Sequence, residues 1–404
     1  MSGPLEGVKV LDLTAMISGP TATMILADQG AQVIKIENPK VGDYTRIVST
    51  NRNGFSAAFL NNNRNKYSVA INLKDKDGVD LLKKMVKDSD VFIQNFRPEV
   101  ADRMGLGEKV LRAINPSLIY VSICGFGFSG PYAQKPVYDP LVQALSGLTT
   151  VQAGSDEERP RLVRTILPDK LTGYATAQAI CASLFQKLKS GKGDHIRVSM
   201  LDTVLAFLWG SDMGGHTFVG DEYEKETAQS FIDLIYETAD GFISVAVQSD
   251  KEWKALCNAF EKKELINDER FFNAELRHRN IDDRLRLTQE TLKEKKSVEW
   301  LEILTKYDVP CAPVLTRKEA IRHPQVVNNK SIIEIIHSEA GRIRQCVPAP
   351  RFSQFPVSFM REAPSLGGDT DKILPQFGLS EEEINSLIQK KVLAAPKISS
   401  EENV

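Results

Sequence analysis

Apolar residues in the first 125 positions fall into short runs separated by stretches with helical spacing. Val8-Lys9-Val10-Leu11-Asp12-Leu13 reads as a buried strand and Gln32-Val33-Ile34-Lys35-Ile36 as a second. Val91-Phe92-Ile93 and Leu118-Ile119-Tyr120-Val121-Ser122-Ile123 read as two more. Between the first two, a helix follows Gly19-Pro20, carries Met24, Ile25 and Leu26, and stops at Gly30, a natural C-terminal cap. Leu81, Leu82, Met85 and Val86 recur at helical spacing ahead of the third strand. Repeated strand–helix–strand units predict a parallel sheet with helices on both faces. Tyr174, Ala177, Cys181 and Leu184 predict a helix packed on that sheet, and His195 to Met200 a further strand.

From about residue 222 the pattern changes. Charged helical stretches dominate, such as Trp253 to Phe260 and Val298 to Tyr307, the latter with Ser297 as its expected N-cap. Shorter strands are expected at Phe242 to Val247 and Ala312 to Leu315, so this part reads as a smaller α+β domain. A proline-rich run follows (Pro348, Pro350, Pro356, Pro364), then a last helix around Ser380 to Lys391 and a polar, frayed end. No repeat of fixed period is present.

A length of 404 residues suits two lobes rather than one. With 42% hydrophobic and 26% charged residues and a net charge of -2, the chain has ample core material. It lacks the basic balance of a nucleic-acid binder. The first residues carry no secretory signal, and no apolar run approaches the roughly 18–20 residues of a membrane span. A cytoplasmic enzyme with no membrane or nucleic-acid partner is expected. Five scattered cysteines form no CxxC pair, and five histidines make no HExxH spacing, so neither disulfides nor a metal site is expected. Reduced thiols fit a cytosolic setting.

Three features carry candidate chemistry. Gly125-Phe126-Gly127-Phe128-Ser129-Gly130 matches GxGxxG after a strand. In a dinucleotide fold a helix starts there, but here Pro131-Tyr132 and polar loop residues follow, and the first strand–helix turn carries Ser18-Gly19-Pro20 instead. A nicotinamide oxidoreductase is therefore disfavoured, and the glycines read as a loop at the sheet's C-terminal edge. Asp169, in Leu167-Pro168-Asp169-Lys170-Leu171-Thr172-Gly173, stands before a good helix. Its plain reading is an N-cap. Its functional reading is a carboxylate nucleophile, held as the anion by the helix terminus and able to form a mixed anhydride with an activated acyl group. Both can hold. Third, Arg46, Arg97, Arg103 and Lys135 lie on or near loops, where several cations together suit a multiply phosphorylated cofactor.

Taken in order along the chain, these residues resemble the class III CoA-transferase family, of the formyl-CoA transferase and carnitine CoA-transferase (CaiB/BaiF) type. The resemblance opens with Leu5-Glu6-Gly7-Val8-Lys9-Val10-Leu11-Asp12, Gly19-Pro20, Gly30-Ala31, Val33-Ile34-Lys35-Ile36-Glu37, Gly42-Asp43 and Arg46. Asn95-Phe96-Arg97-Pro98, Arg103-Met104-Gly105, Gly125-Phe126-Gly127 and Gly130-Pro131 continue it. Pro168-Asp169 with Thr172-Gly173, Gly191-Lys192-Gly193, Val198-Ser199-Met200-Leu201-Asp202, and Pro364 with Leu366-Gly367, Asp371 and Leu374 complete it.

The resemblance implies an α/β fold. Residues 1–205 and 330–404 form a Rossmann-like CoA-binding domain and residues 222–320 the small α+β domain. Residues 206–221 and 321–329 are linkers, and two subunits interlock as a homodimer. It places the catalytic aspartate at Asp169. CoA then lies along loops carrying Ser18, Ile71, Asn95, Phe96, Arg103 and Tyr138, joined by Lys135. Arg103 pairs with a phosphate, and Phe96 lies against the adenine or pantetheine. The implied activity moves CoA from an acyl-CoA, with succinyl-CoA a common donor, to a free acid through an aspartyl anhydride and an aspartyl-CoA thioester. No permanently bound cofactor is implied; CoA and acyl-CoA are substrates. Two departures stand out. Ile17 stands where the oxalate-directed branch has a glutamine, and Val245 to Asp250 lacks that branch's run of glycines. Arg161 and Arg164, just before Asp169, are candidates for a dicarboxylate substrate. The alternatives are a 2-methylacyl-CoA racemase, whose histidine is replaced here by Tyr138, a poor base at neutral pH, and a non-catalytic acyl-CoA-binding protein.

Overall fold

Buried apolar runs assemble into one six-stranded sheet in the computed structural model, which describes residues 3–220, 233–355 and 361–394. The strands are β1 (Lys9–Asp12), β2 (Gln32–Glu37), β3 (Tyr67–Ala70), β4 (Val91–Gln94), β5 (Ile119–Cys124) and β6 (His195–Ser199). They lie in the order β3-β2-β1-β4-β5-β6, and every neighbouring pair is parallel. The apolar pattern misses β3, because Tyr67 and Ser68 interrupt its apolar character.

Side chains alternate between the two faces, as the period of a strand requires. Leu11, Ile34, Phe92 and Tyr120 enter one core, and Val10, Val33, Val91 and Val121 enter the other. The second core is closed by α1 (Ser18–Asp28) through Ala22 and Leu26. The first is closed by α2 (Lys76–Val86) through Leu81, Leu82 and Met85, and by Leu111 of α3 (Glu108–Ile114). After α4 (Asp139–Leu145), the long α5 (Leu167–Ser190) adds Ala177, Ile180 and Leu184 to the second core, and α6 (Met200–Leu208) follows β6.

The chain divides into two units, Met1–Gln229 with Lys330–Val404, and Ser230–Asn329. The second has its own antiparallel sheet of β7 (Ile235–Glu237), β8 (Phe242–Val245) and β9 (Cys311–Pro313). Its core gathers Trp253, Phe271, Leu292, Trp300 and Leu304, largely from α7 (Asp250–Ala259), α8 (Ile281–Leu292) and α9 (Ser297–Lys306). A capping box of Ser249 and Glu252 starts α7. Ser297 is not the cap of α9. Lys296 holds that position, and the Ser297 N–H donates to Asp240 Oδ1 at 2.7 Å, so a carboxylate from the β7–β8 turn does the capping.

The chain then returns to the first unit through the hairpin β10 (Ile332–His337) and β11 (Gly341–Cys346) and the last helix, α10 (Glu381–Gln389). Ile373, Leu374, Phe377, Ile384 and Leu393 complete the first core. Leu393 bridges Ile71 antiparallel, and Asn72 N donates to Val392 O at 2.8 Å.

Candidate active site

In this strand order, the connections from β1 and β4 leave in opposite directions. The crevice at their C-terminal ends is where open α/β sheets bind ligands. Asn95, the first residue after β4, spans it: its Oδ1 accepts from Ala15 N at 3.0 Å and its Nδ2 donates to Ala15 O at 2.8 Å. The rest of the loop from β1 to α1 is held as firmly. Lys35 Nζ donates to Thr14 O at 2.7 Å and Met16 N to Asp43 Oδ1 at 3.2 Å, while Lys66 Nζ donates to Pro20 O in the first turn of α1 at 2.9 Å. Met16, at φ 69°, occupies the left-handed region that non-glycine residues avoid, so the side chains around the loop impose its course.

These buried groups form ion pairs under the crevice: Lys35–Asp43 at 2.9 Å, Lys66–Asp12 at 3.1 Å and Arg46–Glu37 at 2.8 Å. Arg46 is therefore not a loop cation awaiting a phosphate. Its guanidinium is buried and bonded to both Glu37 oxygens.

The loop delivers Ser18, the first residue of α1, to Asp169. Asp169 is the third residue of α5 rather than its N-cap; Ile166 holds the cap position. Pro168 fixes helical φ one residue earlier, so the helix has already begun at Asp169. Its N–H donates to Asp139 Oδ2 at 3.1 Å, and Asp139 Oδ1 accepts from Gln143 Nε2 at 2.6 Å. One turn on, Gly173 lets the two helices meet: a Cβ there would lie 2.8 Å from Thr21 Cβ and 2.9 Å from Ser18 O. The start of α1 therefore lies one helical turn from Asp169, and the hydroxyl and N–H of Ser18 favour the Asp169 anion.

Asp169 is half-buried. Burial, reinforced by the Asp139 carboxylate, pushes its pKa up to about 6, with Ser18 pulling the other way. The helix terminus alone leads one to expect a depressed value. Desolvation outweighs it, because the charged form loses water and faces a second carboxylate. At pH 7 about nine in ten such groups still carry the charge.

Ile71 and Phe96 line one cavity of about 230 Å³ at the C-terminal ends of β1 to β3, with Leu73, Lys74 and Met104. Asn95 braces the crevice beside it. Arg103 ends a short helix, Val100–Arg103, and is exposed; its neighbour Met104, not Arg103, lines that cavity. Lys135 is also exposed, its Nζ 3.4 Å from the Tyr132 ring centroid. Tyr138 is 68% exposed and immediately precedes α4. Phe96 also borders a second cavity, of about 400 Å³, with Arg97, Ser122, His195 and Arg197. Residues 125–138 form no helix. Gly125 packs where a Cβ would lie 2.4 Å from Val137, so this loop lacks the helix that a dinucleotide site requires. Among the described residues, no group of three or more His, Cys, Asp or Glu could hold a metal ion, and no helix is long and apolar enough to cross a membrane.

Sequence reasoning missed Asp139 as the partner of Asp169, although an Asp-Pro pair opening a helix marks a fixed carboxylate. It also missed Asp43, Lys35 and Lys66 as the frame of the Ser18 loop, since nothing in the local sequence announces a buried ion pair.

Comparisons with known proteins give the family. The model of CoA-transferase family III matches residues 5–370. The chain is 35% identical over 384 residues to the succinyl-CoA:glutarate CoA-transferase of Homo sapiens, covering 92% of this chain and 86% of that protein. It is also 35% identical over 338 residues to the acetyl-CoA:oxalate CoA-transferase of Acetobacter aceti, covering 82% and 86%. A solved structure of a CaiB/BaiF family protein from Brucella suis aligns with a TM-score of 0.80 at 29% identity, covering 93% of this chain and 100% of that one. Matches of that extent are decisive: the chain belongs to CoA-transferase family III and is a CoA-transferase.

Proposed function

We propose that the enzyme moves CoA from an acyl-CoA to a free carboxylic acid through covalent intermediates on Asp169. The supporting observation is the setting of this one carboxylate: half-buried in the first turn of α5, its own N–H held by Asp139 at 3.1 Å, and raised to about 6 by burial and the Asp139 charge. Such a group is ionised at neutral pH yet more basic than an ordinary aspartate, which favours attack on a carbonyl. Asp169 attacks the donor thioester, the C–S bond breaks, and a mixed anhydride and CoA thiolate result. The thiolate attacks Asp169 Cγ, expelling the donor's carboxylate and leaving an aspartyl-CoA thioester. The acceptor carboxylate attacks the same carbon and releases the thiolate. The thiolate then attacks the acceptor's carbonyl, yielding the new acyl-CoA and free Asp169. Each step exchanges one acyl bond for another, so no outside energy source is needed. Both intermediates are open to hydrolysis, and the site must exclude water.

Relatives named for glutarate and for oxalate support a dicarboxylic acid as acceptor and succinyl-CoA as a donor to try first. The test is peptide mapping by mass after incubation with succinyl-CoA or acetyl-CoA and hydroxylamine. A modification confined to Asp169 supports the mechanism, and an unmodified Asp169 with every donor overturns it. The cavity of Ile71 and Phe96 is proposed to take part of CoA, with Arg103 beside a phosphate, and Lys135 and Tyr138 along the exposed approach. Arg103→Ala should raise the CoA dissociation constant roughly tenfold, about 1.4 kcal/mol; calorimetry that finds unchanged affinity removes Arg103 from the site.

The pH profile offers a separate check. The attacking form is the anion, so the transfer rate should fall about tenfold per pH unit below about 6. Asp139→Asn keeps an acceptor for the Asp169 N–H but removes the repelling charge. The acid limb should then move to lower pH, and a stationary limb would mean that Asp139 does not govern Asp169.

We further propose a homodimer acting in the cytoplasm. Exposed Tyr174, Phe185 and Leu188 on α5, with Phe207 and Trp209 nearby in sequence, support burial against a second copy. The five free cysteines suit a reducing compartment.

A further inference from the structure

The mechanism proposed above makes a demand that the nucleophile's own role conceals. In its two middle steps Asp169 is the electrophile. Thiolate or carboxylate adds to Asp169 Cγ, the carbonyl electron pair moves onto the oxygen that Asp169 retains, and collapse expels the leaving group while that pair returns. Negative charge therefore rises on an Asp169 oxygen, and in a partly desolvated site it needs fixed donors.

We propose that the hydroxyl and the backbone N–H of Ser18 together form the oxyanion site for attack on Asp169. Ser18 is 4% exposed and opens α1, an eleven-residue helix. Its N–H belongs to the first turn, where no intrahelical acceptor exists, and Ile17 at the cap offers no side-chain bond to this helix end. Gly173, one turn beyond Asp169, lets α5 approach the start of α1 so closely that a Cβ there would lie 2.9 Å from Ser18 O, and both Ser18 donors favour the Asp169 anion. Asn95, Lys35 and Asp43 fix the loop ahead of Ser18 and Lys66 holds Pro20 O just after it, so the donors are in place before charge develops. Asp139 cannot play this part, because it accepts the Asp169 N–H and is itself a carboxylate. Ile17 has no polar side-chain atom. With Ser18 holding the retained oxygen, the other oxygen is left to attack the donor. Ser18 thus acts on the reacting carboxyl, not on CoA, where the family resemblance alone would set it.

This inference rests on Asp169 being the nucleophile, and the experiment separates the two. Hydroxylamine trapping in the wild-type enzyme tests Asp169 alone. Ser18→Ala and Ser18→Thr then test Ser18, with thermal melts as a check of the fold. For Ser18→Ala we expect turnover at saturating substrate to fall ~10²–10³-fold, with CoA affinity within about twofold of wild type. The first acyl adduct on Asp169 should accumulate, because forming it places charge on the donor's oxygen instead. The acid limb should move to higher pH, since a donor favouring the anion is gone. Ser18→Thr keeps the hydroxyl and should retain turnover within about tenfold, with the limb unmoved. Weakened CoA binding with normal saturated turnover in Ser18→Ala would make Ser18 a CoA contact and overturn the inference. Equal losses in both variants, or a stationary limb in Ser18→Ala, would overturn it too.

Discussion

Asp169→Ala should abolish CoA transfer, by ~10⁴-fold or more, while CoA still binds. The size follows from the role: removing a covalent nucleophile leaves only proximity and orientation to act, and comparable losses in other covalent enzymes are of that order or larger. The fold should tolerate the change. Asp169 contributes its N–H to Asp139, a backbone bond that alanine keeps, and the side chain it loses is a half-buried carboxylate facing another carboxylate. Removing that charge relieves repulsion, which offsets the acceptor lost to the buried Ser18 donors, so the variant should melt within a few degrees of wild type. The measurements are initial transfer rates with succinyl-CoA and a dicarboxylic acid, calorimetric titration with CoA, and a thermal melt. Full activity in a folded variant would end the covalent mechanism. Lost activity together with lost CoA binding would make Asp169 a binding residue instead.

Asp12→Ala should have the largest effect on stability, about 3–5 kcal/mol. Asp12 ends β1 with no solvent exposure, and its carboxylate accepts from Thr14 N at 2.9 Å, Thr14 Oγ1 at 2.5 Å, Thr23 Oγ1 at 2.6 Å and Lys66 Nζ at 3.1 Å. Lys66 and Lys35 hold the Asp12 pKa below the usual range although burial opposes them. Burial has already driven Lys66 down to about 8. Without Asp12, the Lys66 ammonium keeps only the neutral acceptors Pro20 O and Asn63 Oδ1, and a buried charge stripped of its counter-ion is among the costliest single changes. Against a total stability of about 5–15 kcal/mol the loss is large, and urea titration should show it as a lower midpoint with unchanged slope. The deficit should narrow as pH rises toward about 8, because loss of Asp12 lowers the Lys66 pKa below its wild-type value and the variant sheds the buried proton first. A deficit below about 1 kcal/mol would mean that water or rearrangement replaces Asp12.

Most of the sheet was legible from local pattern. Val10, Val33, Val91 and Ile119 read as buried strands because parallel strands are apolar on both faces. Tyr67–Ala70 did not, because a strand placed by its neighbours needs little signal of its own. Asp169 was visible as an aspartate opening a helix, though its place within the first turn was set by Pro168. What could not be read were pairings across the chain: Asp169 with Asp139, 30 residues away, and Asp12 with Lys66, 54 residues away. Arg46 was misjudged for the same reason. Its partner Glu37 lies on a strand end nine residues earlier, and no short-range rule joins them. Ser18 was assigned to CoA by resemblance; its nearness to Asp169 depends on the packing of α1 on α5, which no local pattern announces.

The return of the chain to the first sheet also sets a schedule for its biosynthesis. Ile373, Leu374, Phe377, Ile384 and Leu393 close a core whose other half comes from residues 11–120, and Leu393 pairs with Ile71. A ribosome must translate some 250 residues between those two halves, at about 5–20 residues per second. For that interval of about 12–50 seconds the nascent sheet carries an open apolar face. Residues 230–329, with a core of their own, can meanwhile collapse as a local unit. Emergence of residues 373–393 is thus the event that seals the large unit, and until then the unfinished enzyme is a natural client for chaperones.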